Sequence, residues 1–129
     1  MKCARAWLTI LFGILVAGCA STPVNDAWSK IVIRPDPVYQ PLLQGPPQTH
    51  GMRSGRVVLA PGKAMDRHST EANEEQLLFL QGKARVLLGQ EELVMSAGEL
   101  LYIPPHTEHE VHNDGPDEVR YIYTVAPAP

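Results

Sequence analysis

Four of the five histidines in this chain fall into two groups, His68 in one and His106, His109 and His112 in the other. Glu71, Glu74 and Glu75 accompany the first group. Neutral imidazole and carboxylate together suit a borderline divalent ion such as iron, manganese, zinc or nickel. His68 and His109 are 41 positions apart, so only a fold that brings distant segments together makes one site of them. Other chemistries find little support. No glycine-rich phosphate loop opens a helix, and no Gly-x-Ser-x-Gly marks a serine nucleophile. Ser54 and Ser69 have no flanking pattern of that kind.

The segments that must position these residues read as strands and tight turns. Short runs at 56–60, 76–81, 84–88, 92–95, 100–103, 108–113 and 119–125 are the candidate strands, and all but 108–113 are rich in aliphatic residues. Pro61-Gly62, Gly82-Lys83, Gly89-Gln90, Ala97-Gly98, Pro104-Pro105 and Gly115-Pro116 break them with turn chemistry. Seven strands at spacings of about 8–12 residues predict an all-β sandwich or barrel with very little helix. So small a core predicts pairing of two copies through an exposed strand, a homodimer.

Period-two alternation then sorts the candidates. It sets Glu75, Leu77 and Phe79 on one face of a strand, and His109, Val111 and Asn113 on one face of another. Glu110 and His112 fall on the opposite face, so His112 is not expected to be a ligand. His106 follows two prolines in a turn, and its direction stays open. Tyr102, Tyr121 and Tyr123 alternate with aliphatic residues, as barrel-wall residues do. His50 reads as a surface histidine.

Two stretches resemble the paired motifs of the cupin superfamily. Gly62-x5-His68-x-Thr70-x4-Glu75-x6-Gly82 is similar to the first motif, with Thr70 where a second His is usual. Gly98-x5-Pro104-x-His106-x2-His109-x3-Asn113 is similar to the second, with His106 where Gly is usual. The resemblance implies a small cupin-type β-barrel, a double-stranded β-helix or jelly roll. It also implies metal ligation by His68, Glu75 and His109, with Thr70 and His106 as pocket residues. Thr70 is a poor neutral ligand, so two outcomes stand: a three-ligand site with open positions, or a pocket that works without metal. Glu71 or Glu74 could substitute for the missing ligand. One barrel hosts many unrelated activities, so the resemblance names no reaction.

The amino terminus carries an address. Lys2 and Arg5 precede an 11-residue apolar run, AWLTILFGILV, and then Ala17-Gly18-Cys19. That is the layout of a secretory signal peptide, and it is too short to span a bilayer. Val16-Ala17-Gly18-Cys19 resembles the lipobox of bacterial lipoproteins, which implies cleavage before Cys19 and its acylation. Ala20 after the Cys implies delivery to the outer membrane, facing the periplasm. Cys3 leaves with the leader, so the exported domain has no cysteine pair for a disulfide. Loss of Lys2 and Arg5 from 11 basic residues leaves 9 against 14 acidic ones, a net charge of −5. That balance excludes a nucleic-acid partner and leaves acyl chains as the hold on the membrane.

The expected organisation is a leader over 1–18, a proline-rich tether over 19–52, and the barrel over 53–126. Within the tether, Lys30-Ile31-Val32-Ile33-Arg34 is an expected edge strand. The reading is therefore a lipid-anchored protein of the bacterial cell envelope with a divalent-metal site, acting on or binding a small organic molecule. The alternative is a metal-free ligand-binding or structural envelope lipoprotein. Catalysis stays open, because no residue has an acid or base role independent of the metal.

Overall fold

Alternating burial along short strands builds the whole fold. The computed structural model describes Val24 and residues 27–129. The leader and Cys19 lie outside the described residues. Among the described residues nine strands follow one another: β1 (Gln40–Gln44), β2 (Arg53–Leu59), β3 (Ala64–His68), β4 (Asn73–Gln81), β5 (Lys83–Leu88), β6 (Glu91–Ser96), β7 (Leu100–Ile103), β8 (His109–His112) and β9 (Val119–Pro127). The described residues contain no helix. The all-β expectation holds.

The strands form two antiparallel sheets, one in the order β1-β2-β9-β4-β7 and the other β3-β8-β5-β6. Their inner faces meet over Val57, Leu77, Phe79, Val86, Ile103, Val111 and Tyr121. Phe79 is fully buried and lies 5.3 Å from the Tyr121 ring, a spacing that favours tilted aromatic packing. Turns close the sheets where glycine is required. Gly82 has φ +76, and a Cβ there would meet the Glu118 carbonyl oxygen at 2.5 Å. No side chain fits that approach.

Two strands escape the sequence pattern, β1 and β3. Residues 30–34 form no strand, contrary to expectation; the edge strand is Gln40–Gln44, paired with β2. The reason lies in Arg56, whose side chain is 1% exposed on the outer face of β2. Its guanidinium donates to the carbonyls of Arg34 and Val38, to the Asp36 carbonyl at 2.7 Å and to the Asp36 carboxylate at 3.0 Å. Gln40 adds a bond from its amide to the Val32 carbonyl at 2.9 Å, and accepts one from the Arg34 amide at 2.9 Å. Residues 32–40 are thus a strap laid over the outer face of the sheet. Their backbone groups are spent on Arg56 and Gln40 rather than on a ladder. The strap also explains why Ser54 to Val57 are buried without a break, on both faces of β2.

Candidate metal centre

His68 ends β3, Glu75 lies near the start of β4, and His109 begins β8. Register brings them together: β3 pairs with β8 so that His68 stands opposite His109. Glu75 comes from the facing sheet, opposite Ile103 of β7 and Val125 of β9. One donor atom from each of the three lies within 4.8 Å of the others. The two imidazole centroids are 4.3 Å apart. Glu75 and His109 are buried, and His68 is the most exposed of the three.

Backbone carbonyls set the direction of both rings. His68 Nδ1 donates to the Asp66 carbonyl at 2.7 Å, and His109 Nδ1 donates to the Thr107 carbonyl at 3.1 Å. With the proton on Nδ1, the Nε2 lone pair is left free to bind, the usual arrangement of a metal-ligating histidine. His109 Nε2 and Glu75 Oε2 stand 3.2 Å apart but are not aligned as a hydrogen bond, and each is otherwise a buried polar atom without a partner. Two donors on one ion, at bonds of about 2.0–2.2 Å, stand roughly 3 Å apart. The residues present therefore fit a divalent ion. Burial works against a charged His109 ring, but the Glu75 carboxylate and the Thr107 carbonyl outweigh it and hold this imidazole above its ordinary pKa.

His68, Glu75 and His109 line a cavity of about 390 Å³. Thr70 lines it, with its hydroxyl donating to the Asn73 carbonyl at 3.0 Å. His106 does not line it. It is exposed in a turn at φ +59, and its amide donates to the Glu71 carbonyl at 2.6 Å. The left-handed backbone there accounts for the usual glycine at this position. Glu71 is itself at φ +54, and Glu74 accepts from Tyr102 at 3.1 Å, so neither joins the three donors. Tyr102 faces outward, a correction to its expected wall position, because its neighbour Ile103 takes the buried face. Tyr121 and Tyr123 do line the cavity. Burial pushes both hydroxyls up, the nearby Glu75 charge adds to this, and at Tyr123 so does the bond to Tyr39; both remain neutral. His112 lies on the other face of β8, with Nε2 2.9 Å from Glu110. Asn113, the last motif residue, holds a corner: its amide donates to the Leu59 and Asp117 carbonyls at 2.9 and 2.8 Å.

Sequence reasoning missed Tyr39 and Arg53, which also line the cavity. Parity along β2 from Val57 points to Arg53. Nothing local points to Tyr39, which reaches Tyr123 across 84 positions to bond hydroxyl to hydroxyl at 2.8 Å.

A double-stranded β-barrel with a His-Glu-His group at one end defines a cupin-type domain. The chain belongs to the Cupin domain family, which it matches over residues 55–125. Solved structures agree on the fold. A cupin protein from Bacteroides fragilis superposes with a TM-score of 0.68 at 20% identity, over 78% of this chain and 85% of its own. An RmlC-like cupin with a double-stranded β-helix fold from Methanocaldococcus jannaschii gives 0.67 at 20% identity, over 78% and 91%. The Cnp3 cupin domain of Schizosaccharomyces pombe gives 0.63 at 22% identity, over 70% of this chain and 64% of that one. Comparison with curated protein sequences finds no match.

Proposed function

We propose that this chain is a lipid-anchored cupin-domain protein of the bacterial envelope. Its barrel holds a divalent metal on His68, Glu75 and His109 and binds or acts on a small organic molecule. The observation that carries the metal reading is the pair of buried atoms His109 Nε2 and Glu75 Oε2, which stand 3.2 Å apart with no aligned hydrogen bond between them or to any other described group. A buried polar atom without a partner is costly, and an ion shared between them removes that cost. Such an ion supplies Lewis-acid polarisation of a bound oxygen. The chain's own residues do the rest. Glu75 supplies the neutralising charge, the Asp66 and Thr107 carbonyls fix the imidazole tautomers, and Val57, Leu77 and Val111 keep the cavity wall apolar. A volume near 390 Å³ is of small-ligand size.

The second reading, a metal-free binding or structural module, is favoured by Thr70, whose hydroxyl is engaged with the Asn73 carbonyl rather than offered as a fourth donor. Elemental analysis of protein purified without a histidine tag separates the two. About one equivalent of iron, manganese, zinc or nickel is expected, and it should be lost in His109→Ala but kept in His112→Ala. Protein that takes up none of these ions supports the metal-free reading. The anchor rests on Val16-Ala17-Gly18-Cys19 behind its apolar run. Cys19→Ser should abolish lipid labelling and membrane partitioning; continued lipidation refutes that part. Pairing of two copies would use the free edge of β7, where Leu100 and Tyr102 are exposed.

A further inference from the structure

Arg53, exposed at the start of β2, lines the same cavity as the three candidate ligands. Arg53 and Val57 of β2 have the same parity, and both line the cavity. No acidic side chain of the described residues lies within ion-pair distance of Arg53. Register places it relative to the metal ligands. Arg53 stands opposite Val125 of β9, and Val125 stands opposite Glu75 of β4. Arg53 and Glu75 therefore share one row of the sheet with a single valine between them. Two inter-strand spacings of about 4.8 Å put their backbones roughly 10 Å apart. That span suits a molecule of a few carbon atoms.

The surroundings of Arg53 are built around two hydroxyls. Tyr39 and Tyr123 meet at 2.8 Å over Gly55. A Cβ on Gly55 would stand 2.7 Å from the Tyr123 ring and 2.9 Å from each hydroxyl. The missing side chain is what lets the two tyrosines come together there. One hydroxyl donates to the other, and the second proton is free to point into the cavity. Tyr39 is held in place by the strap, whose carbonyls are gripped by Arg56. One cavity thus offers a guanidinium and a hydroxyl donor together with the metal ligands.

Charge completes the argument. Two neutral imidazoles, one carboxylate and a divalent ion sum to +1, and Arg53 adds another +1. Among the described residues, Glu75 is the only acid that lines the cavity. A neutral ligand would leave the excess charge at the buried Glu75 and His109 unmatched, an unfavourable state, and would leave Arg53, exposed at the cavity rim, with only water as its partner. We infer that the cavity takes a short dicarboxylate, one acid group toward the metal and the other forked onto Arg53 beside the Tyr39–Tyr123 pair. The end toward the metal rests on the metal reading above, whereas the end at Arg53 does not. Guanidinium recognises a planar carboxylate with two parallel bonds, a match that an amide lacks.

Titration calorimetry on the full chain in detergent tests this, with malonate, succinate and glutarate as probes and their diamides as uncharged controls. Zinc-loaded and metal-stripped protein are both titrated. At least one dicarboxylate should bind the loaded form about 10- to 100-fold more tightly than its diamide. Arg53→Gln should erase that preference while leaving zinc stoichiometry and the circular dichroism spectrum unchanged, and Arg53→Lys should keep part of it. Equal affinity for diacid and diamide, or a preference unaltered in Arg53→Gln, overturns the inference while stoichiometric zinc leaves the metal reading intact. If zinc does not bind but the Arg53-dependent preference for acid over amide survives, the anion site stands and the metal reading falls.

Discussion

Replacing Glu75 by Gln keeps the shape of the buried side chain and removes its charge. Glu75 Oε2 stands 3.2 Å from His109 Nε2, with both side chains at most 4% exposed. The substitution therefore acts on two equilibria at once, metal binding and His109 protonation. Outer partners of metal ligands alone are worth about 10–100-fold in affinity, so loss of a direct anionic donor is set at about 100-fold. Metal at 100 times its Kd stabilises the folded state by about 2.7 kcal/mol. For a domain of this size that is a rise in Tm of about 11–22 °C. The same metal concentration then sits near the variant's Kd and contributes only about 0.4 kcal/mol, or about 2–3 °C.

The pH dependence supplies a second readout. In metal-stripped wild type, Glu75 and Thr107 outweigh burial and raise His109 above its unfolded value. A raised histidine gives stability that is fully present below about pH 6.5 and is lost as pH rises through the folded pKa. Metal needs neutral imidazoles, so the zinc-loaded form should instead lose stability as pH falls. In Glu75→Gln, burial acts on His109 with the carboxylate gone, and the folded value drops. The stripped variant should then lose this histidine's contribution as pH falls, the reverse of stripped wild type. Thermal melts from pH 5 to 8, with and without zinc, read all of this. Equal zinc protection in both proteins, or the same pH slope in both stripped forms, would refute the coupled Glu75–His109 site.

Thr70→His places an imidazole in the cavity wall beside the three donors, and zinc affinity by competition with a chelator should tighten by at least tenfold; unchanged affinity would mean that the wall does not direct position 70 at the ion. His106→Gly relieves a left-handed backbone and should raise stability by up to about 1 kcal/mol in urea unfolding with metal content unchanged. Lost metal there would show that His106 is a ligand after all. Arg56→Met should cost about 3 kcal/mol by removing charge-assisted bonds to the strap. Faster amide exchange confined to residues 32–40 is the accompanying sign; uniform loss of protection would place Arg56 in the barrel core instead.

Much of the barrel was legible in sequence because strand parity is a local property. Consecutive side chains must point to opposite faces, so Glu75 joins Leu77 and Phe79, and His109 separates from His112 without knowledge of any neighbour. The turn at Gly89-Gln90 was equally readable, and the structure pairs Leu88 with Glu91 across it. Strand β3 was not legible, since only Met65 among its residues is less than exposed and no apolar alternation marks it. Tyr102 was misread because aliphatic neighbours alone do not tell which face of an edge strand is wet.

Residue spacing by itself determined seven of the nine described strands and the turns between them, and the resemblance of two motifs to the cupin pattern named the three candidate ligands. Tertiary structure decided which strands became neighbours, and hence what else faces the site. The order β2-β9-β4 put Arg53 in a row with Glu75. The grip of Arg56 on carbonyls about 20 positions upstream turned an expected tether into a strap and brought Tyr39 to the cavity. Those contacts arise from long-range burial and hydrogen-bond satisfaction, which depend on register between segments far apart in the chain. Local periodicity carries no record of that register.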